Sequence, residues 1–215
     1  MKNININEKE LLSLSTPESC YLLGFIWADG HLSANKSNKN RITIEIISDD
    51  MTNLKTCLDK FGKWHHHTRI RPGRKQQSQA IITSKTIYDQ LIKWNYRKRH
   101  LGTNLPNLIK KSLRHYWYLG VFDGDGCFYF YPKGYLKQCS ISSCYNQNWS
   151  YITSVLDVLR IKYKITKRIQ GKNRHSVIRF CGKNNIKTFG EYIYKNKLNY
   201  IGFDRKYKKY TEIVS

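Results

Sequence analysis

YLLGFIWADG, residues 21–30, and WYLGVFDGDG, residues 117–126, share the skeleton Leu-Gly-x-x-x-small-Asp-Gly. Leu23, Gly24, Ala28, Asp29 and Gly30 carry it first; Leu119, Gly120, Gly124, Asp125 and Gly126 carry it again ninety-six residues later. In a chain of 215 residues, repetition at that distance indicates two related halves. Thr16-Pro17-Glu18 opens the first copy as a helix, with a hydroxyl cap, a proline at the first helical position and an acid in the first turn. Gly30 then reads as a left-handed helix stop. Gly24 and Ala28 lie four apart, as do Gly120 and Gly124, so each helix carries a stripe of small residues on one face. No side chain keeps such stripes apart, and the two helices are expected to pack along them.

The same succession follows each copy. In RITIEIIS, residues 41–48, Arg41, Thr43 and Glu45 alternate with Ile42, Ile44 and Ile46, the pattern of a strand with one wet face. A strand over 31–35 pairs with it. DDMTNLKTCLDKFG (49–62) predicts a helix closed by Gly62; strands near 64–71 and 77–83 and the helix TIYDQLIKW follow. The second copy leads to strands near 127–133 and 137–143, divided by Pro132 and Gly134. A helix in NWSYITSVLDVLRI comes next, capped by Asn146 or Asn148. Strands near 162–169 and 174–181, turned at Gly171-Lys172-Asn173, and the helix NIKTFGEYIY complete the half before a basic tail. The expected fold is α+β: two pseudo-symmetric αββαββα repeats, 1–94 and 112–215, with a linker over 95–111 and a four-stranded antiparallel sheet in each.

Lys and Arg number 38 against 15 Asp and Glu, a formal charge of +23. Self-repulsion at that density favours a polyanionic partner, whose released counterions drive binding. The 40% hydrophobic fraction, with five Trp, sixteen Tyr and eight Phe, excludes a disordered basic tail. No stretch nears the run of about 20 apolar residues that crosses a bilayer. MKNININEKE is polar and is not a secretory leader, so an intracellular protein is expected, in bacterial or phage cytoplasm or an organelle matrix. Six cysteines without zinc-ligand spacing read as reduced, buried side chains.

If the two helices pack, Asp29 and Asp125 emerge side by side. Two carboxylates repel, and each lies near the negative end of its own helix dipole, so stability alone does not select the arrangement. A bound divalent cation removes the penalty, because Mg²⁺ prefers one or two carboxylates with water and phosphate oxygens. In a polyanion-binding chain, that combination points to metal-assisted phosphodiester hydrolysis. A single Asp-Gly after a helix is usually a mere turn. Two copies in parallel contexts are not.

Both decapeptides resemble the LAGLIDADG signature of homing endonucleases, and their tandem occurrence resembles the single-chain, pseudo-symmetric members. Trp27 stands where the family has an acid; Tyr118 and Leu23 depart at its first and second positions. Asp123 occupies the place of Trp27 in the other copy, which suggests a capping or structural role. The resemblance implies a saddle of two sheets across a long asymmetric site in double-stranded DNA. Both strands would be cut across the minor groove by a monomer, with Mg²⁺ held by Asp29 and Asp125 beside Ala28 and Gly124. Mn²⁺ is expected to substitute, and Ca²⁺ to support binding without cleavage. Arg97-Lys98 and Arg205-Lys206 follow the last helix of each half, where the family commonly places basic residues; Lys98 and Lys206 are assigned to stabilise the phosphate or orient water. An intron RNA maturase or a non-cutting DNA-binding regulator on the same scaffold is the alternative. Retention of both acids favours the nuclease.

A sheet with one polar face can lie in the major groove and read base edges. In the first half, the candidates are Ser33, Asn35, Arg41, Thr43, Glu45, His65, His67, Arg69, Arg71, Gln77 and Gln79. In the second half, Lys162, Lys164, Thr166, Arg168 and Gln170 alternate with Tyr163, Ile165 and Ile169. His65, His66 and His67 cannot together hold one ion, because consecutive strand residues point to opposite faces.

Overall fold

A computed structural model describes residues 6–34, 40–70, 72–73, 75–130, 136–170 and 173–215, with only the backbone described at 170 and 173. The first half runs α1 (Glu8–Leu12), α2 (Pro17–Asp29), β1 (Gly30–Ala34), β2 (Asn40–Ile47), α3 (Ser48–Asp59), β3 (His65–Arg69), β4 (Gln77–Thr83) and α4 (Lys85–Lys93). A 3-10 turn, Arg99–Leu101, and the short α5 (Leu105–Leu108) lead to the second half. That half comprises α6 (Arg114–Asp125), β5 (Gly126–Phe130), β6 (Lys137–Cys144), α7 (Ser150–Val158), β7 (Lys164–Gln170), β8 (Asn173–Cys181), α8 (Lys183–Ile193) and α9 (Asp204–Val214). The two sheets have matching antiparallel orders, β1-β2-β4-β3 and β5-β6-β8-β7.

Helices α2 and α6 form the centre. Every residue from Ser19 to Ala28 is buried, as is every residue from His115 to Asp123, the signature of helices covered on all sides. Thr16 accepts from the Ser19 N–H at 3.2 Å and Pro17 occupies the first turn. Backbones nearly touch along the small residues. A Cβ on Gly24 would lie 2.0 Å from the Trp117 carbonyl oxygen, and one on Gly120 2.1 Å from that of Tyr21. A Cβ on Gly124 would fall 2.4 Å from that of Ala28. Beneath the sheets, Ile42, Ile44, Ile46, Ala80 and Ile82 fill one core, and Phe128, Cys139, Ile141, Ile178 and Phe180 the other.

The structure corrects four expectations. Gly30 is extended (φ −73°, ψ 145°), not left-handed: β1 starts there without a turn, and glycine is needed because a Cβ would lie 2.4 Å from the Ile26 carbonyl oxygen. The basic tail is a helix, α9, whose buried face carries Lys206, Tyr210 and Ile213. The N-cap of α7 is Trp149, not Asn146 or Asn148; Asn148, one residue earlier, accepts at Oδ1 from the Ser150 N–H at 2.9 Å. Finally, three cysteines (Cys20, Cys57 and Cys139) are buried, whereas Cys127, Cys144 and Cys181 are exposed; all six are free thiols. The turn at Gly171-Lys172 and the divider at Pro132 and Gly134 lie outside the described residues.

Candidate active site and nucleic-acid interface

Each central helix ends on an acid and passes at once into the first strand of its sheet, so Asp29 and Asp125 emerge at one end of the helix pair. The Asp29 carboxyl carbon lies 3.5 Å from the point a Cβ on Gly124 would occupy. Burial pushes the Asp125 carboxyl up to about 7, and the neighbouring Asp29 charge adds to the rise. Burial also raises Asp29; Lys206 and Arg99 oppose the shift and Asp50 reinforces it. A cavity of about 340 Å³ opens at Asp125 and Ala28, walled by Arg97, Arg99, His100, Ser143 and Cys144.

Two cations cap the helix ends. The Arg99 guanidinium donates to the carbonyl oxygens of Ala28 and Gly30. Lys206, only 7% exposed, donates from Nζ to the carbonyl oxygens of Phe122 (2.8 Å), Asp123 (2.6 Å) and Gly126 (2.7 Å). These carbonyls form the negative ends of the helix dipoles, which a cation stabilises. Gly30 and Gly126 hold equivalent places in the two copies, so Arg99 and Lys206 are structural counterparts. Lys98 is exposed and does not line the cavity; its neighbour Arg99 occupies the inward place. Asp123 is buried, accepting at Oδ2 from the Tyr21 hydroxyl (2.9 Å) and the Phe203 N–H (3.0 Å), while its Oδ1 has no hydrogen-bond partner among the described residues. Burial lifts its carboxyl to about 6. Trp27, its counterpart, packs edge-on against Tyr96 and Tyr151 at 5.1 and 5.5 Å.

Residues paired across an antiparallel ladder share a face. Register therefore places Ser33, Arg41, Thr43, Glu45, His65, His67, Arg69, Gln77 and Gln79 together on the face of the first sheet opposite the core. Lys164, Thr166 and Arg168 share the corresponding face of the second. Gln170 closes β7, and exposed Lys162 precedes it. Asn35 and Arg71 lie outside the described residues. Gln77 Oε1, Thr166 Oγ1 and Arg179 Nε are buried on these faces without a hydrogen-bond partner among the described residues. Such atoms call for a partner from outside the chain.

No protein-family model matches the sequence. The replication factor C small subunit of Methanocaldococcus jannaschii is 31% identical over 136 residues, which cover 56% of this chain but 7% of that protein. Among solved structures, the LAGLIDADG homing endonuclease I-LtrWI bound to target DNA aligns over 92% of this chain and 89% of its own, with TM-score 0.55 and 13% identity. I-DmoI with nicked target DNA and manganese aligns over 85% and 98%, with TM-score 0.53 and 18% identity. The chain has the LAGLIDADG homing-endonuclease fold. The meganuclease I-CpaMI bound to uncleaved DNA is similar over 93% of this chain and 90% of its own (TM-score 0.54, 15% identity).

Within this LAGLIDADG fold, several polar residues escaped the sequence reading. His31, Gln138, Ser140, Ser142, His175 and Arg179 stand on the same two faces. The signal for β6 was present: in KQCSISSC, Gln138, Ser140 and Ser142 alternate with Cys139 and Ile141. Arg99 was hidden among the four consecutive basic residues at 97–100, where only the path of the loop selects the inward one.

Proposed function

We propose that the chain is a site-specific double-strand DNA endonuclease, acting as a monomer on a long asymmetric target with a divalent metal. The observation that carries this reading is the meeting of Asp29 and Asp125 between two basic, polar sheet faces. Two half-buried, mutually repelling carboxylates suit a hard cation such as Mg²⁺, which completes its shell with water and phosphate oxygens. Among the described residues, no cluster of three or more His, Cys, Asp or Glu offers an all-protein cage. Asp29 and Asp125 would hold the ion, which supplies an activated water and charge stabilisation at the scissile phosphate. The Ala28 carbonyl already accepts from Arg99, so its second lone pair is the one left for a metal; Gly124 is its counterpart.

The chain's own residues do the rest. Arg99 and Lys206 fix the helix ends and set positive charge beside the place where a phosphodiester gains negative charge during displacement. The sheets bind the duplex and orient it over the acids. Mn²⁺ is expected to replace Mg²⁺, and Ca²⁺ to permit binding alone. Cleaved sites selected from a randomised library in Mg²⁺ supply the substrate for the test. Asp29→Asn and Asp125→Asn should each abolish double-strand cutting of that site and leave its affinity in Ca²⁺ near wild type. Loss of binding in both variants would show the acids to be structural.

A further inference from the structure

We infer that Asp50, by clamping Arg205, makes the two DNA strands unequal substrates, the one at the Arg99 side being cut before the one at the Lys206 side; this rests on the nuclease function proposed above. Strand pairing fixes which residues correspond in the two halves. Gly30 lies opposite Ile44 and Gly126 opposite Ile141. Six residues beyond those isoleucines stand Asp50 and Gln147. Arg99 and Lys206 correspond because each holds the end of its own half's central helix.

Asp50 and Gln147 both reach across to the basic segment of the other half, with unlike results. Gln147 donates from Nε2 to the Arg99 carbonyl oxygen and accepts at Oε1 from the Ser143 hydroxyl, both at 2.8 Å. It is neutral and holds only the backbone of that segment. Asp50 is buried and takes the Arg205 guanidinium by two bonds, which sets one cation against an anion. Arg97, Lys98 and Arg99, with neutral Gln147, therefore present three positive charges. Asp204, Arg205 and Lys206, with Asp50, cancel to zero, or to one positive charge if Lys197, 3.4 Å from Asp204, is counted.

The difference falls where the chemistry is. Arg97 and Arg99 wall the cavity that opens at Asp125, whereas Asp29 feels Lys206 most among the nearby charges and also feels Asp50. Hydrolysis forms a bond from water oxygen to phosphorus, breaks one to a sugar oxygen and passes a proton to that oxygen. Negative charge on the phosphate peaks in between, so the phosphate with more cations beside it reacts faster. Asp50 is thus a positioning residue, acting through Arg205.

A cleavable site, selected as above and labelled differently on its two strands, should be followed through a single turnover in Mg²⁺. The wild type should nick one strand on the order of tenfold faster than the other, so that nicked duplex accumulates. Asp50→Asn, which keeps the side-chain shape, should speed the slow strand and leave the fast one unchanged. Arg97→Gln, at an exposed position, should slow the fast strand alone, and it decides the matter if the first variant does not fold. A merely structural Asp50 would slow both strands alike. Equal strand rates in the wild type, or a ratio that neither variant moves, would overturn the inference and leave the nuclease standing. A wild type that cuts neither strand would overturn both.

Discussion

Asp125 should announce its surroundings in the pH dependence of stability. Its carboxyl titrates at about 7 in the folded chain, against 3.8 for an ordinary aspartate. Between those values the folded protein keeps a proton that the unfolded chain has released, so stability falls as pH rises through this window and levels off above it. In metal-free buffer, Asp125→Asn is expected to raise the melting temperature at pH 8, with the gain shrinking as pH falls towards 4. A gain equal at both ends would contradict the assignment. At this scale the acids were legible because the motif repeats, and repetition needs no knowledge of packing. Gly30 was misread because glycine serves both a left-handed turn and a close backbone approach, and the letter alone does not separate the two uses.

The helix pair and the strands obey different rules, and they were legible to different degrees. Small residues four apart mark a face, and α2 and α6 meet on it with carbonyl oxygens where side chains would stand. Gly24→Ala or Gly120→Ala should each cost roughly 3 kcal/mol, since a rigid backbone must yield to the new methyl group. The drop in urea midpoint measures it; an unchanged midpoint would mean that the helices separate freely. Strand β2 was readable because isoleucines alternate cleanly with polar residues. Helix α9 was not, although its buried residues Lys206, Tyr210 and Ile213 follow helical spacing. Its first inward residue is a lysine, which a hydrophobic pattern counts as solvent-facing. Three carbonyl acceptors, supplied by a distant helix end, make that burial tolerable.

Across the whole molecule, the segment leading into α9 fastens the second half to the first. Tyr200 donates to Glu18 at 2.7 Å, Phe203 meets Phe25 edge-on at 5.5 Å, and Asn53 donates to Asp204 at 3.3 Å. Arg205 grips Asp50 with two parallel bonds of 2.7 and 2.6 Å, and the next residue, Lys206, reaches the second helix end. The Asp50 side chain is 8% exposed and that of Arg205 55%. Arg205→Ala should therefore cost about 1–2 kcal/mol, less than loss of a fully buried partner. A double-mutant cycle with Asp50→Asn isolates the pair; a coupling of zero would refute the clamp. None of this was legible, because a polar pair 155 residues apart leaves no periodic trace.

Trp27 and Asp123 fill equivalent places with opposite chemistry, one an indole among aromatic rings, the other a carboxylate receiving the Tyr21 hydroxyl. The repeats are thus no longer interchangeable parts. Trp27 meets Trp117 at 6.5 Å just as Asp123 meets Tyr21; two N-terminal units brought together would set each indole against the other unit's Tyr21 and strand both hydroxyls, so a shuffled descendant keeps the junction only by inheriting both unlike partners.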